Sequence, residues 1–289
     1  MIAAVTYSTE SYKSLRKQNI NSAYSKGKAN IVFEYTPNDI DSEFKARFNH
    51  ILNDPKGAGL WLWKPYIINK ALGNINDEDF LIYSDAASYY IDKIQYLVDA
   101  LVLSRQDIMT FELPLISRQW TKHETFVQMR CDKKGYEDEN QILASFILIK
   151  KCSFSVRFIE EYLDNCCDIV SISPNLFNKN ISNPIDFISH REDQSILSIL
   201  SMKYKLKPFR DPSQYGERPW EYLLSKEVIF RPKEYTNSNY PTIFYLTRKK
   251  VNHSIFSIKN LIKNILSLFP FYIKWEINRR NKISYKYPA

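Results

Sequence analysis

A stretch running from Gly57 to Ser88, GAGLWLWKPYIINKALGNINDEDFLIYSDAAS, leaves this chain few folds to choose from. A glycine-broken loop, a helix and a buried strand follow one another and end at a single carboxylate. Phe80, Leu81, Ile82 and Tyr83 form a short apolar, aromatic run of the kind that is buried on both faces of a sheet. Asp85 falls just past its carboxyl end. In open α/β sheets that edge is where ligands bind. Pro65 suits a first helical position, because its fixed φ fits and its missing N–H would be unpaired anyway, and Gly73 suits a left-handed helix stop. Loop, helix, strand and acid are thus one α/β unit.

The rest of the chain repeats that alternation. Residues 2–7 read as the first strand, with Thr6-Tyr7-Ser8 as the loop at its end, and residues 10–25 as a helix. Residues 30–35 read as a second strand, followed by a turn and a helix over 41–52. Ile94, Leu97, Val98, Leu101 and Val102 have the spacing of an amphipathic helix, and residues 107–113 make another strand. Residues 142–149 form a hydrophobic strand, and Phe154, Phe158, Ile159 and Leu163 share one face of a helix over 153–166. Residues 175–186 are a polar, asparagine-rich loop. Ser189 and Glu192 have the spacing of a capping box ahead of Ile196, Leu197, Ile199 and Leu200, which gives Glu192 a structural role. Such alternation points to a mostly parallel sheet in three layers.

At 289 residues with 44% hydrophobic side chains, the chain supports a sizeable core. Only six glycines occur, so those at 57, 59, 73, 135 and 216 are expected where backbone geometry demands them. The formal net charge of +8 is not spread over the molecule. Residues 249–289 hold nine Lys or Arg and one Glu, whereas residues 1–248 balance at 31 of each sign. A nucleic-acid groove in the main domain would need its own clustered cations, and no such run is present, so no nucleic-acid partner is expected. Cys131, Cys152, Cys166 and Cys167 have no zinc-like pairing and suit a reduced cytosolic chain. The N-terminus has no charged region before its apolar run and turns polar after Tyr7, so neither a signal peptide nor a span is expected there.

Several motifs in order carry a resemblance. They are Gly57, Gly59, Trp61-Leu62-Trp63-Lys64-Pro65, Tyr83-Ser84-Asp85-Ala86, Gln119-Trp120-Thr121-Lys122, Gln141-Ile142-Leu143-Ala144-Ser145-Phe146, His190-Arg191-Glu192-Asp193-Gln194-Ser195, and the run from Phe209 to Gly216. Together, over roughly residues 1–245, they resemble bacterial glycosyltransferases of capsule and lipopolysaccharide O-antigen clusters. The resemblance implies a GT-A-like α/β fold, Rossmann-related, with a mostly parallel sheet flanked by helices. It implies transfer of a hexose from a nucleotide-diphosphate sugar donor to a saccharide acceptor. Thr6, Tyr7, Trp63, Lys64, Asp85 and Arg210 would then contact the donor, with Lys64 facing phosphates at a helix start. Asp193 and Gln194, in the first turn of a helix, would be catalytic, as proton acceptor or as lining of the reacting face. Mn2+ or Mg2+ would be held at Asp85. The family's Asp-x-Asp triplet is Tyr83-Ser84-Asp85 here, so one of its two acids is missing. Retention and inversion both remain open, and so does a non-catalytic sugar- or nucleotide-binding module of the same fold. Residues 114–141, with Trp120, Lys122, His123, Phe126, Arg130 and Tyr136, would be an acceptor-side excursion, since aromatics and polar groups suit sugars.

The tail, residues 249–289, reads as a unit separate from a domain over 1–248. Ile255, Ile258, Leu261, Ile262, Ile265, Leu266 and Phe269 form one helical stripe, with Lys259 and Lys263 off it. Pro270 breaks the helix, and Trp275, Arg279, Arg280, Lys282 and Lys286 follow. A basic amphipathic helix with an aromatic flank suits the interface of an anionic membrane. Its interrupting lysines oppose a span. The expectation is peripheral attachment to the inner face of the cytoplasmic membrane, where a lipid-linked acceptor lies, or alternatively packing on the main domain or a second subunit.

Overall fold

The structure is a computed structural model and describes residues 1–247 and 253–284. The strands are β1 (Ile2–Tyr7), β2 (Ile31–Tyr35), β3 (Phe80–Ser84), β4 (Ser88–Tyr90), β5 (Ile108–Ile116), β6 (Asn140–Lys150), β7 (Phe209–Arg210) and β8 (Phe244–Leu246). The longer helices are α1 (Lys13–Ser25), α2 (Trp63–Leu72), α3 (Gln95–Leu103), α4 (Ser153–Cys167), α5 (Glu192–Lys203), α6 (His253–Leu266) and α7 (Pro270–Arg280). Six strands form one sheet in the order β2-β1-β3-β6-β5-β7, and β4 pairs with β8 in a small antiparallel ribbon. β1 is parallel to both β2 and β3, β6 runs antiparallel to β3 and β5, and β7 is parallel to β5. Five strands therefore point one way and β6 the other. The fold is α/β with a mostly parallel sheet flanked by helices.

Strand parity decides which face each residue serves. Ala3, Val5 and Tyr7 of β1 and Leu81 and Tyr83 of β3 enter one core cluster, with Ile67 and Ile68 of α2, Phe158 of α4 and Ile196 of α5. Ala4 and Ile82 enter the cluster on the other face, with Leu97 and Leu101 of α3. Every residue of β5 is buried, as a strand covered on both faces requires. Because β6 is reversed, its first half, Asn140 to Ser145, lies at the carboxyl end of the parallel strands, and Asp85 donates its backbone N–H to Ser145 O at 3.0 Å.

Several local expectations change. Gly73 keeps a right-handed backbone (φ −63°) and does not stop α2 in the left-handed way, because the last turn closes through Gly73 N–H to Asn69 O. Pro65 is the third residue of α2, since Trp63 and Lys64 are already helical. The helix expected over 41–52 breaks at Phe48 into Ser42–Arg47 and Asn49–Leu52. β5 runs on through Pro114, whose missing N–H is tolerated at a register shift between Glu112 and Ile116. The boundary at 248/249 and Lys286 lie outside the described residues.

The loop before α2 is where backbone geometry is most unusual. Gly57, Ala58, Gly59, Leu60 and Trp61 all have positive φ, between 51° and 101°. Each non-glycine residue in that region costs about 1–2 kcal/mol, so the turn needs outside support. It comes from Gly59 N–H to Asp54 O (2.8 Å), the Trp63 indole N–H to Gly57 O (2.9 Å), and the burial of Leu60. A Cβ on Gly59 would sit 2.7 Å from Leu52 Cα. Gly59→Ala is therefore expected to lower unfolding free energy by about 2 kcal/mol or more. Gly73→Ala, right-handed and meeting only ordinary contacts, should raise it by about 0.4–1 kcal/mol. Urea unfolding of both variants checks the pair.

Candidate functional site

The sequence places β3, α2 and α5 around one charge cluster. Lys64 enters from the first turn of α2 and is only 3% exposed. Its Nζ lies 2.7 Å from Asp193 Oδ2 and 3.7 Å from Asp85 Oδ1, and it donates to Ala144 O at 3.1 Å. The rings of Tyr83 and Trp63 stand 5.5 and 6.0 Å from it. Burial works against the charge on Lys64, but the two carboxylates outweigh it and hold its pKa above the usual lysine value. Burial pushes the Asp193 carboxyl up, and the ammonium beside it works against that. Tyr162 donates to Asp193 Oδ2 at 3.1 Å, and Tyr83 donates to Asp85.

Two members of the group reach solvent. The Asp85 side chain is 29% exposed, and Gln194 is half-buried. Gln194 Nε2 donates to Gln141 Oε1 at 2.7 Å, and its Oε1 accepts from Ala144 N at 3.4 Å. Gln141 in turn donates to Thr121 Oγ1 and Trp120 O. Asn19 of α1 reaches over the Asp85 loop, with its amide nitrogen 2.9 Å from Ser84 Oγ and 3.0 Å from Ser88 Oγ. Position 85 is thus fixed from both sides.

The remaining candidates are distributed as follows. Tyr7 and Trp63 are both buried and stack on each other at 4.0 Å, so each ring gives one face to the other. Thr6 is buried, has opposite strand parity to Tyr7, and its Oγ1 has no partner among the described residues. Arg210 sits on β7, three strands from β3, or roughly 14 Å across the sheet. There it bonds Glu217 and the carbonyl of Tyr240, and it is not brought together with Lys64 and Asp85. Trp120 and Lys122 are buried; Lys122 Nζ is 3.1 Å from Glu124 Oε2 and donates to Asn175 O at 2.5 Å. They brace the loop before α5, and buried Phe126 joins the core, whereas Arg130 is exposed and His123 and Tyr136 are half-buried. Tyr162 and Asn19 carry no local sequence signal, because only the packing of distant elements brings them here, and Gln141 is legible only as the first residue of its motif.

Glu192 does not form the expected capping box. α5 begins with Arg191 at its cap, and Arg191 N–H donates to Ser195 Oγ at 3.1 Å, which leaves Ser189 outside the helix. Glu192 has φ +41°, is buried, and faces Lys56 Nζ of the left-handed loop at 2.7 Å. Burial pushes its carboxyl up to about 7 even with Lys56 beside it. His190, also buried, is pushed down to about 3 and is neutral.

These contacts bear on a divalent ion at Asp85. One Asp85 oxygen accepts from Tyr83 and faces the Lys64 ammonium, and that ammonium already occupies the space between Asp85 and Asp193. A hard cation needs several anionic or neutral oxygens. This donor set does not fit a resident Mn2+ or Mg2+.

No protein-family model matches the sequence, and no curated protein matches it. Among solved structures the chain is similar to mouse xyloside xylosyltransferase 1 in its apo form, with a TM-score of 0.42 and 9% identity over 86% of this chain and 98% of that one. It is also similar to an active-site mutant of LgtC, with a TM-score of 0.44 and 13% identity over 86% of this chain and 88% of that one. Likeness at this level leaves the chemistry to the side chains.

Glu192 supplies a pH test. Its folded pKa of about 7 lies above its ordinary 4.5, so the folded state holds more protons between those values and stability falls as pH rises through that window. Glu192→Gln is expected to reduce the loss of unfolding free energy between pH 4.5 and 7, by up to about 3 kcal/mol. Urea unfolding at both pH values reads the difference.

Proposed function

We propose that this chain is a glycosyltransferase that moves a hexose from a nucleotide-diphosphate sugar to a saccharide acceptor. The observation that carries the reading is the ion cluster at the carboxyl edge of β3, where two carboxylates share one buried ammonium and only Asp85 and Gln194 reach solvent. A sheet edge of this kind is a ligand crevice. Asp85 accepts hydrogen bonds from donor hydroxyls, and Gln194, clamped by Gln141 and Ala144, lines the reacting face. Lys64 and Asp193 act as positioning residues, holding Asp85 and the start of α5 at fixed distance. In the reaction the bond from the anomeric carbon to the diphosphate oxygen breaks, the nucleoside diphosphate leaves with its electron pair, and the carbon bonds the acceptor oxygen, whose proton passes to the departing diphosphate or to water. Prearranged polar groups accelerate such a step by binding its changing charge more tightly than the ground state.

The acceptor we infer is lipid-linked, and the motif resemblance supports a place in capsule or O-antigen assembly. The tail supports a membrane location. α6 docks through its polar side: buried Arg218 bonds Asn260 at 2.6 Å and also Asn264, and Lys263 pairs with Glu221 at 3.1 Å. Ile258, Leu261, Ile262 and Ile265 are left about half exposed, and Phe271 and Trp275 continue the apolar face onto α7. A helix packed on its own domain would ordinarily bury that stripe. No described helix is long and apolar enough to cross a membrane. An anionic bilayer surface matches an apolar face beside Lys259, Lys274 and Lys282.

Two experiments test this reading. Thermal shift against a panel of nucleotide diphosphates and their sugars should show one nucleotide family raising the melting temperature, equally with Mn2+ and with a chelator. Asp85→Asn and Gln194→Ala should each lower turnover on the order of 100-fold with folding intact. Binding without turnover in the unaltered chain would favour the non-catalytic module instead. In a vesicle sedimentation assay, Leu261→Asp with Phe271→Asp should cut binding to anionic vesicles at least about tenfold and leave transfer to a short soluble acceptor unchanged. Equal sedimentation would remove the membrane from the proposal.

A further inference from the structure

Away from the crevice, three side chains have the composition and spacing of a cation site. His123 opens the short helix His123–Gln128, Asp132 follows the turn after it, and Glu137 closes the helix Lys134–Glu137. Their ligand atoms all lie within 4.8 Å of one another. His123 Nε2 is 2.8 Å from Asp132 Oδ1 and 3.8 Å from Glu137 Oε1.

The imidazole is held from behind. Nδ1 lies 3.1 Å from the carbonyl oxygen of Ser182, and the backbone N–H of His123 donates to Asn183 Oδ1 at 2.9 Å. A carbonyl only accepts, so Nδ1 carries the hydrogen and Nε2 is the atom turned toward the carboxylates. Metal-bound histidines are oriented in this way by a partner on the other ring nitrogen.

Geometry and charge agree with that arrangement. A tetrahedral shell with bonds of 2.0–2.2 Å separates its ligand atoms by roughly 3.4 Å. The observed 2.8 and 3.8 Å lie on either side. Asp132 is 50% exposed at its side chain and Glu137 20%, so small rotations close the set. A simple ion pair would need one carboxylate against the imidazole, and two are present. Nε2 carries a hydrogen bonded to Asp132 Oδ1, and a divalent ion would displace that proton and balance both carboxylates.

We propose that His123, Asp132 and Glu137 bind one divalent transition cation, with Zn2+ the best match to one imidazole and two carboxylates and water completing the shell. Through Ser182 and Asn183 the bound ion ties residues 123–137 to the loop that leads into Glu192 and Asp193. Its role there is to hold that loop, and it takes no part in the charge cluster around Lys64.

The test is titration of the full chain with Co2+, read by its visible bands, and with Zn2+, read by calorimetry. One equivalent should bind, without a thiolate-to-cobalt band from the neighbouring Cys131. His123→Ala and, separately, the isosteric Asp132→Asn should each weaken binding at least about tenfold, whereas Asp85→Asn should leave it unchanged. Zn2+ should slow proteolysis within residues 173–190 in the unaltered chain and not in His123→Ala. Absence of saturable binding at millimolar metal, or binding equal in both variants, would overturn the proposal.

Discussion

The contact on which the functional end of this molecule depends is Lys64 buried between Asp193 and Asp85. It joins three elements far apart in sequence: the first turn of α2, the loop after β3 and the start of α5. An ammonium so buried is sustainable only because two carboxylates and the Ala144 carbonyl face it. Removing Asp193 from its buried pair with Lys64 costs about 3–5 kcal/mol, which makes that contact a structural constraint as well as a chemical one. It also fills the space between the two carboxylates that a hard cation shared by them would use. The carboxyl edge of β3 therefore presents one partly exposed carboxylate backed by a fixed positive charge.

The surroundings of that contact are stiff for reasons that can be traced. The left-handed turn from Gly57 to Trp61 sets the entry of α2, and its strain is carried by backbone hydrogen bonds and by the Trp63 indole. Lys56 of the same turn meets buried Glu192, so loop and α5 are tied twice, once through Lys56 and once through Lys64. Gln141 and Gln194 couple α5 to the reversed strand β6. A reversed strand brings its first residues to the same edge as the last residues of its parallel neighbours, which is why Ala144 and Gln141 stand beside Asp85.

The tail uses its polar and apolar sides in the opposite sense from an ordinary packed helix. Asn260 and Asn264 satisfy a buried Arg218, and the isoleucines and leucines face outward. Burying Arg218 without those amides would leave guanidinium donors unpaired, so the docking is specific even though it hides little apolar surface. The apolar face is the part that stays exposed.

Much of the architecture was legible from residue pattern alone. Apolar runs of strand length, helical spacing in 94–102 and 153–166, and a strand ending at Asp85 determined an α/β sheet and the edge where a site would lie, because periodicity reports burial directly. The glycine-broken loop was legible too, since few residues other than glycine accept positive φ. Tertiary structure alone decided the partners. That Lys64 turns inward to two acids, that Arg210 lies three strands away on the edge, that Ser189 is no cap and Glu192 pairs with Lys56, and that His123, Asp132 and Glu137 converge all depend on distances between segments far apart in the chain. Local sequence sets each residue's dihedrals and face, but the meeting of side chains is fixed by how the layers pack.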